Sequence, residues 1–102
     1  FVSADAAYTG GTLTTPLIDF TGAALELNID AESLGSARVE IRDPHDQPLP
    51  GFSLADCDVI AGNSVRRKVT WKGSADLRAI ARRPLRLHFA MRAAKLYAFQ
   101  FV

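Results

Sequence analysis

Apolar and polar residues alternate strictly in three stretches of this chain, and such alternation is the signature of half-buried β-strands. In residues 23–30, Leu25, Leu27 and Ile29 face one way while Glu26, Asn28 and Asp30 face the other. In residues 37–43, Ala37, Val39 and Ile41 oppose Arg38, Glu40 and Arg42. In residues 85–92, Leu85, Leu87, Phe89 and Met91 oppose Arg86, His88 and Arg92. One apolar face and one wet face per strand is what antiparallel sheets present.

Less regular runs fill the gaps. Residues 12–20 are rich in β-branched side chains, and Pro16 marks an edge strand or a bulge, because proline cannot donate to a ladder. Residues 65–71 alternate Val65, Val69 and Trp71 with Arg66, Lys68 and Thr70, which leaves Arg67 on the apolar side. Either Arg67 sits at a sheet edge with its head in water, or a bulge shifts the register there. Residues 95–102 place Tyr97, Phe99 and Phe101 on one face. Turn signals separate these runs at Gly10-Gly11, Thr21-Gly22, Leu34-Gly35, Asp43-Pro44 and Gly62-Asn63. Residues 43–51 hold three prolines and read as a turn followed by a short edge segment ending at Phe52. Residues 53–61 read as a loop. The one helix-like piece is 74–83, with Ser74 as N-cap, Leu77 and Ile80 spaced to touch one surface, and Pro84 as the stop. Seven or eight short strands with one short helical turn near 74–83 predict an all-β fold, a two-sheet antiparallel sandwich of jelly-roll type.

A length of 102 residues fits a single domain over 1–102. No apolar run approaches the roughly 20 residues a membrane helix needs, so no membrane partner is expected. The chain opens Phe1-Val2-Ser3-Ala4, which reads as a piece of a longer polypeptide. Net charge is only +1, but it is unevenly spread: residues 1–63 hold ten acids and two bases, whereas residues 64–102 hold ten bases and one acid, Asp76. In an antiparallel fold early and late strands become neighbours, so these charges are expected to pair across strands. A nucleic-acid site needs its bases gathered on one face, with aromatics between them for single strands. No such pattern is present, and nucleic acid is not an expected partner.

The chain offers few groups for chemistry. Glycoside hydrolysis needs two carboxylates held several ångströms apart. Asp56 and Asp58 share a loop and Asp76 lies near a turn, positions where carboxylates usually bond backbone amides. His45 and His88 fall on different elements, which argues against zinc. Asp56, Asp58 and Asn63 could ligate a structural calcium, but without an EF-hand spacing. Cys57 is the only cysteine, so it forms no internal disulfide and is expected to be a small buried apolar residue. There is no Gly-x-Ser-x-Gly elbow, P-loop or dinucleotide glycine motif. No catalytic, cofactor-binding or metal-binding residue is assigned. Trp71 and Tyr97 could stack on sugar rings if exposed, but their strand positions favour the core.

Taken as a set, Gly51-Phe52-Ser53-Leu54-Ala55-Asp56-Cys57-Asp58, Gly62-Asn63-Ser64, Val69-Thr70-Trp71-Lys72-Gly73, Pro84-Leu85-Arg86-Leu87-His88-Phe89 and Lys95-Leu96-Tyr97-Ala98-Phe99-Gln100-Phe101 form a pattern. It resembles the C-terminal β-sandwich behind five-bladed propellers in bacterial family-32-like (levanase and invertase related) glycoside hydrolases and similar secreted proteins. The resemblance runs from Phe1-Val2-Ser3-Ala4-Asp5 to the end and is densest after Gly51. It departs at Arg82-Arg83, where an Ala-Gly-Lys type turn is usual, at Arg92-Ala93-Ala94-Lys95, which replaces a form with an aspartate after the basic residue, and at the turn Asp43-Pro44-His45-Asp46, which lacks the common glycine. The resemblance implies a non-catalytic module with a structural or docking role beside a catalytic domain in the same chain. It also implies a secreted, cell-surface or periplasmic location and no cofactor. A carbohydrate-binding module is the alternative, with a glycan as partner, and a stand-alone hydrolase is the third reading.

Overall fold

The computed structural model describes residues 8–102, with side chains over 11–31 and 35–102. Phe1 to Asp5, where the resemblance begins, lie outside the described residues. Four strands form: β1 (Tyr8–Thr14), β2 (Leu25–Arg42), β3 (Asn63–Lys68) and β4 (Arg86–Phe101). They pair antiparallel throughout, in the order β1-β4-β2-β3. Among the described residues there is no helix, and thus none long and apolar enough to cross a membrane.

The expected short strands merge into fewer and longer ones. Segments 23–30 and 37–43 join into the 18-residue β2, and 85–92 and 95–102 join into the 16-residue β4. Leu34-Gly35, expected as a turn, therefore lies inside a strand. Pairing explains how both readings arise. Ala31 faces Ala94 and Ser36 faces Arg92, so residues 32–35 stand opposite Ala93 alone. A bulge of this kind bends and twists the strands without ending them. Ala93 takes φ 49°, a left-handed conformation uncommon for alanine.

Bulges also move side chains between faces. From Leu85, just before β4, the buried positions run through Leu87, Phe89 and Met91, then Ala94 and Leu96, then Phe99. The second change of frame accompanies a register shift between Asn28 and Ile29. Tyr97, expected inward with Phe99 and Phe101, is 39% exposed, and the inner position belongs to Leu96. Likewise Val65, expected inward, is 74% exposed. A register shift between Leu27 and Ile29 disturbs β3 there. Both alternatives for Arg67 hold together: it is exposed on an edge strand, and a bulge precedes it. β1 ends before Pro16, and Ile18 resumes contact through a bridge to Leu85.

The apolar face of the sheet is covered by the segments flanking β3. Cys57, Ile60, Val69, Trp71, Leu77 and Ile80 join the inward residues of β2 and β4 in one cluster. The helical turn expected over 74–83 does not form. Ser74 instead bridges to Trp71 across Lys72-Gly73, whose φ values of 50° and 81° suit a two-residue hairpin turn in which the glycine carries no steric cost. Only a single turn closes further on, where the Ile80 amide donates to the Leu77 carbonyl at 3.1 Å. Leu77 and Ile80 reach the core from that turn, so their spacing did not require a helix. Phe20 stacks on Phe101 with ring centroids 4.1 Å apart, closing one end of the cluster.

Candidate functional site

The loop acids are the first group to place. Asp58 accepts from the Thr70 hydroxyl at 2.6 Å and the Gly73 amide at 2.8 Å, using Oδ2 for both. Asp56 accepts from the Ser53 hydroxyl at 2.9 Å and pairs with Lys72 at 3.2 Å. The Lys72 amide also donates to the Asp56 carbonyl at 2.9 Å. Residues 56–58 thereby clamp the Trp71–Ser74 hairpin. Hydrogen bonds from Ser53 and then Lys72 hold the Asp56 carboxyl below its usual range, and those from Thr70 and Gly73 do the same for Asp58. Asp76 forks onto Arg78 at 2.9 Å through both oxygens, and that guanidinium lowers its carboxyl to about 2. General-acid catalysis needs a raised carboxyl, so all three shifts run the wrong way.

The metal candidates are not brought together. Asn63 pairs with Asp30 on β3, while Asp56 and Asp58 face the hairpin. Among the described residues no group of three His, Cys, Asp or Glu side chains could hold a metal ion. The histidines do approach one region of the outer face through Thr14. His88 Nδ1 lies 2.7 Å from the Thr14 hydroxyl, and His45 lines an open hollow of about 330 Å³ with Thr14, Asp46 and Arg86. Burial, followed by the charge of Arg42, pushes His88 below its ordinary value and favours the neutral ring.

Cys57 and Trp71 turn out to be partners of one peptide unit. On the β3 side of β2, Ala37 exchanges two bonds with Ile60 at 2.9 Å, and Ile41 bonds Phe52 and Leu49 at 2.9 Å. Between them, among the described residues, no backbone group bonds Val39 on that side. Its amide donates to Cys57 Sγ at 3.3 Å and its carbonyl accepts from Trp71 Nε1 at 2.9 Å. Two side chains thus replace a missing strand rung. Burial raises the Cys57 thiol, which keeps it protonated and unreactive. Trp71 is 3% exposed, with Phe52 edge-on at 5.4 Å, so it offers no face to a sugar.

What the alternation pattern missed lies on the outer face of β2, β3 and β4. Glu26 falls on the polar side as expected, yet it is only 8% exposed. Its Oε1 accepts from Gln100 Nε2 at 3.2 Å and from Arg66 Nε at 3.4 Å. A hollow of about 170 Å³ opens beside it, lined by Glu26, Asn28, Val65, Ala98, Phe99 and Gln100. The Glu26–Arg66 and Asp56–Lys72 pairs join the acidic early half of the chain to the basic late half. The hollow lies beside the two register shifts at Asn28, which no local pattern reports.

Comparison of the chain with models of protein families, with curated proteins and with solved structures gave no match in any of the three.

Proposed function

We propose that the chain is a non-catalytic β-sandwich domain that works by docking against a neighbouring domain of the same polypeptide. The observation that supports a non-catalytic role best is the fate of the loop acids. Asp56, Asp58 and Asp76 spend their oxygens on the fold itself, with carboxyls held low rather than raised. Within this reading the two bent strands, β2 and β4, run from one layer of the sandwich to the other through the bulge at Ala93. The identity of the neighbour, a catalytic glycosidase domain in a secreted or cell-surface bacterial protein, rests on the residue resemblance alone. The docking surface is the outer face around Asn28, where Val65, Ala98 and Tyr97 interrupt an otherwise polar sheet.

A carbohydrate-binding role is disfavoured by the burial of Trp71, which leaves Tyr97 as the one exposed Phe, Trp or Tyr among the residues whose side chains are described. Calorimetric titration against fructans and plant polysaccharides separates the readings. The expected result is no heat of binding and no hydrolysis; saturable binding or turnover would refute the docking role. Hydrogen exchange supplies the positive test. The amides around Val65 and Tyr97 should exchange more slowly in a polypeptide that also carries the adjoining sequence, and equal exchange would count against docking.

A further inference from the structure

The free edge of β3 differs from every other backbone edge of the fold. β3 is last in the sheet order and pairs only with β2. Among the described residues its six residues make no backbone bond on the opposite side. An edge of this kind presents a row of amides and carbonyls able to accept another strand. Beyond β3 the β2 rim bonds Gly62 at Ala31, Ile60 at Ala37, and Phe52 and Leu49 at Ile41, and β1 on the far edge carries a register shift between Thr9 and Gly11 and ends before Pro16.

The side chains of this edge state what it would accept. Val65, Arg66, Arg67 and Lys68 are all exposed. Arg67 stands opposite Leu27 and so on the core-side face, whereas Lys68 stands opposite Glu26 on the outer face, where Arg66 also reaches Glu26. Arg67 and Lys68 form no ion pair with any acidic residue whose side chain is described. Successive residues of a strand point to opposite faces. An added strand therefore meets positive charge on both its faces at neighbouring positions. A second copy of this chain pairing through β3 would set the same three bases against themselves, and like charges across strands are destabilising.

From this placement we infer that the β3 edge binds an extended acidic segment as an added antiparallel strand, with consecutive acidic residues set against Arg66, Arg67 and Lys68 and an apolar residue beside Val65. The inference goes beyond the docking reading, whose contact is the outer face around Asn28, by adding the β3 edge as a second contact for a segment of stated chemistry. The two fail separately, because glycan binding or turnover would remove the docking role without touching the edge.

The test uses the whole chain and a labelled extended peptide of valine and threonine with three consecutive acidic residues. Fluorescence anisotropy at low salt should show saturable binding, with amide shifts confined to Asn63–Lys68 and its β2 partners. N-methylation of alternate peptide amides, on the side that pairs, should weaken binding about tenfold or more, since strand addition depends on main-chain bonds. The double reversal Arg67→Glu and Lys68→Glu should transfer preference to the matching lysine peptide. Three results would overturn the inference: no binding, shifts mapping elsewhere, or equal affinity for the N-methylated peptide, which marks simple charge attraction. Dimerisation through β3 in sedimentation would also overturn it. The N-methyl comparison needs no variant, so it decides the matter even if the reversal impairs folding.

Discussion

Replacing Trp71 with phenylalanine probes the side-chain rung at Val39. The substitution keeps a ring beside Phe52 but removes the indole N–H that the Val39 carbonyl accepts at 2.9 Å. Val39 is 0% exposed, so water cannot take the vacant position without entering the core. An unpaired buried carbonyl costs about 1–3 kcal/mol. The smaller ring leaves space where Trp71 packs, and lost packing adds about 1 kcal/mol. The expected total of about 2–4 kcal/mol is a large part of the roughly 5–15 kcal/mol that holds a domain folded. Urea unfolding followed by far-UV circular dichroism measures it; Trp71 is the only tryptophan, so its fluorescence vanishes with the change. Cys57→Ala removes the other half of the rung and leaves the buried Val39 amide unpaired, which should cost about 1–3 kcal/mol. The two changes act on one peptide unit, so the double variant should depart from additivity. If Trp71→Phe lies within about 0.5 kcal/mol of the parent, the Val39 carbonyl does not depend on the indole and the argument fails.

Three further outcomes are expected. Gly22→Ala places a Cβ 2.8 Å from the Val102 amide nitrogen and 2.9 Å from the Phe101 carbonyl carbon, both backbone, so thermal unfolding should show a loss of about 1–3 kcal/mol. Leu96→Ala should cost about 2–5 kcal/mol and Tyr97→Ala less than about 0.5 kcal/mol, an order that reverses if β4 keeps strict alternation. Asp58→Asn should lower the midpoint of thermal melting at neutral pH, and the difference should vanish in acid. The folded carboxyl lies below the ordinary 3.8, so its contribution is complete above that value and is lost as pH falls through the lower folded one. Melting curves from pH 7 to 2 would show a constant difference if Asp58 plays no such part.

The fold was partly legible because burial imposes a period of two wherever a strand is regular. Leu25, Leu27 and Ile29, Val39 and Ile41, and Leu87 and Phe89 all lie where alternation places them. Prediction failed at Tyr97 and Val65 for a common reason. Each sits beside a register shift set by a partner strand distant in sequence, and a single extra residue changes the face. The merging of 23–30 with 37–43 was hidden in the same way, since Leu34-Gly35 has the composition of a turn but is spanned by β4. In the loops, the role of Asp56 and Asp58 as backbone and hydroxyl acceptors follows from carboxylate chemistry in turns. The burial of Glu26 does not, because it requires Arg66 and Gln100 to converge on it from two other strands. The Trp71 indole bond to Val39 spans two separate regions of the chain and leaves no local trace.

The pairing of β2 with β4 also sets the order in which this chain can fold. Arg42 meets Arg86 and Leu25 meets Phe101, so even the nearest rung of the central pair must close the whole of the intervening segment. Loop closure of that size is paid before any central contact forms, and topologies dominated by such distant pairings fold slowly. A chain emerging from the ribosome would hold β2 ready, with its apolar side uncovered, until the last strand followed. Stopped-flow refolding should therefore show one late cooperative phase, in which the rung at Val39, the bulge at Ala93 and the basic edge of β3 all come into being together.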